Sequence, residues 1–271
     1  MKIAIYTANI GGNVNNFEDD LHHYEEGVDY YYFTDDRTIK SEKWNIVYVN
    51  NDCQSCDISP GNRKFAKKIK IIYWEFLKGY DWVVWVDAHH VLKQSVKNIN
   101  ISNYISSLPH DIDIVFKNHT GFMPKFDKNG NVMFNKNGVV LEERKFDLYD
   151  EIKHIKYHPD AKLENMESLK KWEVFLKKID FPRRSGLIET NKIIWRVKFN
   201  NLLRNFNHVW FKYSTEKFRR DQLTLNFLLW RDRAISNYVV TDNLDDVLPT
   251  EKVKWDKKTE KGLEEWSGKW E

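Results

Sequence analysis

Apolar and polar positions along the chain fall into short runs of differing period. Lys2 to Tyr6, within MKIAIYTANIGG, reads as a first strand, and Thr7, Ala8, Asn9, Ile10, Gly11 and Gly12 read as a turn whose glycines admit a ligand close to the backbone. DYYYFTDD supplies a second strand ending at Asp35 and Asp36, and WNIVYVNND a third. After Pro60 and Gly61, NRKFAKKIKIIYWEFLKG mixes charged and apolar positions as a helix does, closing near Gly79. WVVWV, just before Asp87, and IDIVFKN, from Ile112 to Asn118, are further strands.

In the second half, apolar Leu163, Met166, Leu169, Trp172 and Phe175 recur at helical spacing between Pro159 and Lys178. FPRRSGLIETNKIIW passes from turn to strand around Gly186, and NNLLRNFNHVWFKY and RRDQLTLNFLLWR read as helices, the latter with Leu223, Phe227 and Trp230 among its core candidates. YVVTDN precedes a polar, Trp-containing tail that either packs back on the sheet or frays.

Strand runs alternating with helical ones predict an α/β chain with a mainly parallel, Rossmann-related sheet flanked by helices. Residues 119–150 carry Asn-Gly turn signals and read as a hairpin-bearing excursion, so that residues 1–271 are expected to form one domain. Parallel sheets bind ligands outside their strand carboxyl ends, which gives Thr7, Asp35 and Asp87 comparable positions.

Composition narrows the function classes. A chain of 271 residues with 41% hydrophobic and 15% aromatic residues is long and apolar enough to bury a substantial core, which excludes disorder throughout. Its 43 basic and 40 acidic side chains leave a net charge of only +3, so no chain-wide polycationic surface for nucleic acid is expected, although a local anion site is compatible with it. Cys53 and Cys56 form a lone CxxC, for which zinc would need ligands other than cysteine and redox chemistry a more specific helix context. The first apolar stretch is too short for a secretory core or a membrane span, and no run of about 18 apolar residues follows. A cytoplasmic, reducing setting is therefore expected, with peripheral association at a membrane surface left open.

Candidate chemistry centres on WVDAHHVL. An unpaired acid where Asp87 leaves a buried strand would be expensive, so a partner or ligand is expected there, or a cap on the next turn. Asp87 and His89 offer two side chains for a divalent cation with positions open to phosphate oxygens; a hydrogen-bonded loop histidine is the alternative for His89. Arg63 and Lys67, four residues apart on the expected helix, present two positive groups on one face, for a phosphate or for solvent.

YTANIGG, FTDD, WVDAHHVL, SGLIETNKIIWR and RRDQLTLNFLLW, in this order, span most of the chain. With them the sequence resembles the GT-A glycosyltransferase fold and, within it, the glycosyltransferase-like domain of plant mucilage and ceramidase-related proteins, and more distantly the glycogenin-like transferases. The resemblance implies metal-assisted transfer of a sugar from a nucleoside-diphosphate sugar to a glycan or other hydroxyl acceptor, with retention favoured over inversion. It implies a divalent cation, Mn2+ ahead of Mg2+, at Asp87 and His89, although Asp87-Ala88-His89 departs from the family's D-x-D pattern and no histidine follows His208 to serve as a third ligand. Backbone groups of Thr7 and Ala8 would hold the nucleotide, and Asp35 would accept from its base or ribose.

On the acceptor side, Asp221 is implied as general base or acceptor-orienting group, or else caps its helix. Gln222 would hold sugar hydroxyls, and Arg220, beside Arg219, would position Asp221 or contact phosphate. Glu189 and Asn191 would shape the acceptor pocket or fasten the local turn. A metal-dependent nucleotidyltransferase and a non-enzymatic glycan- or nucleotide-binding domain are the competing readings.

Overall fold

The computed structural model of the protein describes residues 1–12, 17, 19–50, 61–129, 131–157, 164–197, 201–218, 220–232 and 237–252. Cys53, Cys56, Leu163, Arg219 and the tail from 253 onward lie outside the described residues.

Seven strands share one sheet: β1 (Ile3–Asn9), β2 (Val28–Thr34), β3 (Asn45–Tyr48), β4 (Trp82–Val86), β6 (Ile114–Asn118), β9 (Ile188–Arg196) and β10 (Tyr238–Thr241), in the order β10-β6-β9-β4-β1-β2-β3. β1, β2, β3 and β4 pair in parallel, as do β6 and β10. β9 runs antiparallel to both β4 and β6. Every residue of β1 and β4 is buried, the continuous apolar run expected of strands covered on both faces.

Small pairs complete the strands. β5 (His90–Leu92) joins β11 (Thr250–Lys252), and β7 (Phe122–Pro124) joins β8 (Glu142–Arg144). The second pair lies in the excursion forecast at 119–150, extended by a bridge from Phe126 to Val132 and by another from Phe134 to Val140 around a turn whose Gly138 has φ +76°.

One face of the sheet carries α1 (Gly61–Ile71), α3 (Leu148–Tyr157), α4 (Met166–Lys178), α5 (Asn201–Glu216) and α6 (Gln222–Arg231), packed on Ala4, Tyr6, Val83, Trp85, Phe116 and Trp195. The other carries α2 (Ile101–Ser107) and α7 (Leu244–Val247), packed on Ile5, Val84, Val86, Val115 and Ile194. Alternate strand residues go to opposite faces, which assigns each strand-end side chain near the site to one side or the other. This is the mixed, mostly parallel, helix-flanked sheet of a GT-A-like plan.

The helix read as closing near Gly79 stops at Ile71 and continues as a short 3-10 turn, Tyr73–Glu75. Tyr73 is turned into the core beside Trp195, with ring centroids 5.4 Å apart. Among the described residues no helix is long and apolar enough to cross a membrane.

Candidate functional site

The carboxyl ends of β1 and β4 meet the start of β9 beneath α1 and the first turn of α6. A cavity of about 260 Å³ lies there. From α1 come Arg63, Lys67 and Lys70; from β1, Ala8; from β4 and its following turn, Trp85, Asp87 and His89. Thr190 of β9 and Asp221, just ahead of α6, complete the lining that bears on chemistry.

Positions 63, 67 and 70 are spaced four and three apart, so they share one side of α1. Arg63 is exposed at the rim, whereas Lys67 and Lys70 are buried. Burial lowers the pKa of Lys67 from 10.5 to about 8, with Asp221 opposing the shift and Arg63 and Lys70 reinforcing it; its ammonium donates to the Ser214 carbonyl. For Lys70, burial acts in the same sense but is outweighed by Asp221 and Asp87, and its pKa is raised.

Two acids enclose Lys70. Its Nζ lies 2.8 Å from Oδ2 of Asp221 and 3.6 Å from Oδ1 of Asp87. Trp85 and Asp87 are two residues apart and therefore share a strand face, which lets the indole Nε1 donate to Asp87 Oδ1 at 2.7 Å. Thr190 Oγ1 donates to Asp221 Oδ1 at 2.9 Å, while the Asp221 backbone carbonyl accepts from Trp210 Nε1 at 3.2 Å. The carboxylate makes no capping bond to α6. Burial would raise the pKa of Asp221, but Lys70, Lys67 and the Thr190 bond outweigh it and hold the acid at about 2. Asp221 is thus an ionised anchor, with both oxygens engaged.

Several residues expected at the site do not line this cavity. Thr7 faces away from the cavity, on the side of Ile5, with its buried Oγ1 lacking a hydrogen-bond partner among the described residues. Asp35 closes the turn after β1, accepting from the Gly11 N–H at 2.9 and 3.1 Å. Gly11 there has φ +81°, a conformation that favours glycine, and a Cβ would also press on Nδ2 of Asn62 at 2.3 Å.

Arg220 turns from the cavity to Glu151, at 2.8 Å, in a buried group that includes Lys145. Its backbone N–H donates to Glu164 at 2.6 Å. Gln222 opens α6 half-buried and outside the cavity lining. Glu189 and Asn191 are bonded to each other at 2.8 Å, and Glu189 pairs with Lys117 at 2.8 Å. Lys117 in turn holds Asp245, so this network lies on the α7 side of the sheet. The strand register shifts between Phe116 and Lys117, a bulge that leaves Thr190 facing the cavity between two residues that do not.

Asp87 and His89, the implied cation ligands, both line the cavity, whereas His90 lies buried on β5 with Nδ1 2.7 Å from Thr250 Oγ1. The bonds to Asp87 converge on Oδ1, so the donors suited to a cation are Oδ2 and the His89 imidazole. Among the described residues no group of three His, Cys, Asp or Glu converges. One or two protein ligands completed by substrate phosphates and water is nevertheless an ordinary arrangement for a cation of the Mg2+ class, and the pair fits on those terms.

The sequence reading missed Lys70 and Thr190. Lys70 falls seven residues after Arg63 and three after Lys67, a spacing that carries the signal for all three. Thr190 is signalled only by alternation, and the bulge obscures it.

No family model matches the sequence, and no curated protein does. Among solved structures, the chain is similar to a glycosyltransferase involved in the glycosylation of the major capsid of PBCV-1, at 10% identity and TM-score 0.42, covering 98% of this chain and 100% of that one. It is similar to mouse xyloside xylosyltransferase 1 in its apo form, at 7% identity and TM-score 0.49, covering 90% and 86%. It is also similar to 4-diphosphocytidyl-2C-methyl-D-erythritol synthase from Anaerococcus prevotii DSM 20548, at 9% identity and TM-score 0.40, covering 99% and 96%. At these identities and scores the likenesses carry no inference about the site.

Proposed function

We propose that the protein transfers a sugar from a nucleoside-diphosphate sugar to a hydroxyl acceptor in the cavity beneath α1 and α6. The observation that supports this reading is the graded row of Arg63, Lys67 and Lys70 descending one side of α1 toward Asp87 and Asp221. As the bond between the anomeric carbon and its phosphate oxygen breaks, the electron pair leaves on the diphosphate, and fixed cations there stabilise the growing charge. The acceptor oxygen bonds to the same carbon and loses its proton.

With a pKa of about 2 and both oxygens engaged, Asp221 is a poor proton acceptor at neutral pH. Its place supports an orienting role, which favours retention, the acceptor proton passing to the departing diphosphate oxygen. Asp87 and His89 would hold a divalent cation, Mn2+ ahead of Mg2+, which when bound neutralises phosphate charge.

The test is release of nucleoside diphosphate from a panel of UDP-, GDP- and dTDP-sugars with MnCl2, with and without hydroxyl acceptors. Acceptor-dependent release supports sugar transfer. Pyrophosphate formed instead from a nucleoside triphosphate and a sugar 1-phosphate would assign nucleotidyl transfer, and metal-independent binding without turnover would assign a binding domain.

A further inference from the structure

A second cavity of about 400 Å³ lies against two of the elements that build the first. The two share β9: Ile188 lines the second and Thr190 the first, two residues and about 6.6 Å apart on one strand face. They also share α6. Asp221, one residue ahead of the helix, lines the first cavity, while Asn226, Leu229 and Trp230 line the second, Asn226 lying about 7.5 Å further along the helix axis. A ligand in the second cavity therefore sits within about two turns of α6 of anything held at Asp221.

The two linings differ in kind. The first carries Arg63, Lys67, Lys70, Asp87 and Asp221; no charged side chain is among the described residues that line the second. It is walled instead by aromatic rings, Phe181, Trp230 and Tyr238, with the amides of Asn118 and Asn226 between them. Phe181 meets Trp230 edge-on, with centroids 5.3 Å apart at 73°, which fixes the indole. Trp230 is only partly buried, unlike the core residues Trp195 and Trp210.

Asn118 Nδ2 is anchored to Asp242 at 2.8 Å, and Asn226 makes one long bond, 3.5 Å, to the Gln222 carbonyl, so both amides retain hydrogen-bonding capacity. Ring faces for C–H groups, combined with a few amides for hydroxyls and no fixed charge, suit an uncharged sugar ring better than an anion or a hydrocarbon.

We infer that this second cavity is the acceptor subsite and that it takes a neutral carbohydrate, its ring laid on Trp230 and its hydroxyls held by Asn118 and Asn226. The inference rests on the proposed sugar transfer, and its experiment separates the two. Saturation-transfer NMR and calorimetry would follow binding of neutral methyl glycosides and their disaccharides, with methyl glucuronide and cyclohexanol as anionic and hydrocarbon controls, to the wild type, Trp230→Ala and Asn226→Asp. UDP affinity, measured in parallel, reports on the first cavity and on folding.

The expected result is that at least one neutral glycoside binds, that both variants weaken it by about tenfold or more, and that UDP affinity stays within about twofold. Binding unchanged in both variants, no neutral glycoside bound, or preference for glucuronide or cyclohexanol would overturn the acceptor assignment. If neither UDP nor GDP binds the wild type, it is the proposed transfer that fails.

Discussion

Replacing Lys67 with methionine should make the protein weaker at binding a diphosphate without making it less stable. Lys67 is buried, and burial lowers its pKa from 10.5 to about 8. At pH 7 the folded and unfolded chains both carry the charge, so that gap, at 1.36 kcal/mol per pH unit, amounts to about 3 kcal/mol by which the ammonium disfavours folding. Methionine is of similar length and removes that penalty, but leaves the Ser214 carbonyl without its donor, a loss of about 1–3 kcal/mol. The net expectation is a variant from equal in stability to about 2 kcal/mol more stable.

Binding moves the other way, because a charged hydrogen bond to phosphate contributes about 1.5–3 kcal/mol, or about 10- to 150-fold in affinity. Urea unfolding and calorimetric titration with UDP at pH 7 measure both. Between about pH 8 and 10.5 the folded protein releases this proton before the unfolded chain does, so wild-type stability recovers with rising pH and the variant's advantage shrinks, while wild-type affinity for UDP declines. A Lys67→Met protein destabilised by more than about 2 kcal/mol, with UDP affinity unchanged, would refute the assignment of Lys67 to phosphate and make it a structural lysine.

Asp221→Asn should lower transfer in rapid-quench measurements at saturating substrates by at least about tenfold, because Lys70 and Thr190 lose their shared anchor; unchanged chemistry would leave Asp221 an architectural role. The wild-type rate should show no titration of this acid between pH 5 and 8, since its pKa is held at about 2. Asp87→Ala should strongly reduce turnover and abolish any Mn2+-dependent part of UDP binding, and equal turnover at saturating donor and metal would contradict it. Glu151→Gln should destabilise the fold by about 3–5 kcal/mol, read by urea unfolding, because Lys145 and Arg220 converge on this buried carboxylate. Burial would raise the Glu151 pKa, but those cations outweigh it and lower it below 4.5, so its stabilisation is present above about that pH and is lost as the pH falls through the folded value; the variant should lack that part of the acid transition.

Much of the fold was legible because its central strands are buried on both faces and therefore read as unbroken apolar runs, β4 most plainly. The Arg63 and Lys67 pair and Asp87 were legible from helical spacing and from a strand end. Lys70 was not, since within KFAKKIKI it resembles the lysines beside it, and its partner Asp221 is 151 residues away. Glu189 and Asn191 were named from the resemblance of their segment, and Thr190 between them was not legible because alternation alone does not say which strand face looks toward the helices and a bulge interrupts the register there. The motif around Arg220 marked a real cluster of charge, but the guanidinium serves Glu151, which does not line the cavity. Short elements such as β5, α7 and β11 carry too few residues for any period to emerge.

Because one unbroken helix, α6, follows Asp221 and bears Asn226 and Trp230, the span between the proposed phosphate site and the proposed sugar site is set by helical rise and is not adjustable by loop movement. Adding or deleting a single residue between them would swing the indole by about 100° around the axis, out of its pocket. Diversification of this scaffold toward new acceptors must then proceed through side-chain replacement at constant helix length, a constraint that homologous sequences would record as an absence of gaps between these positions.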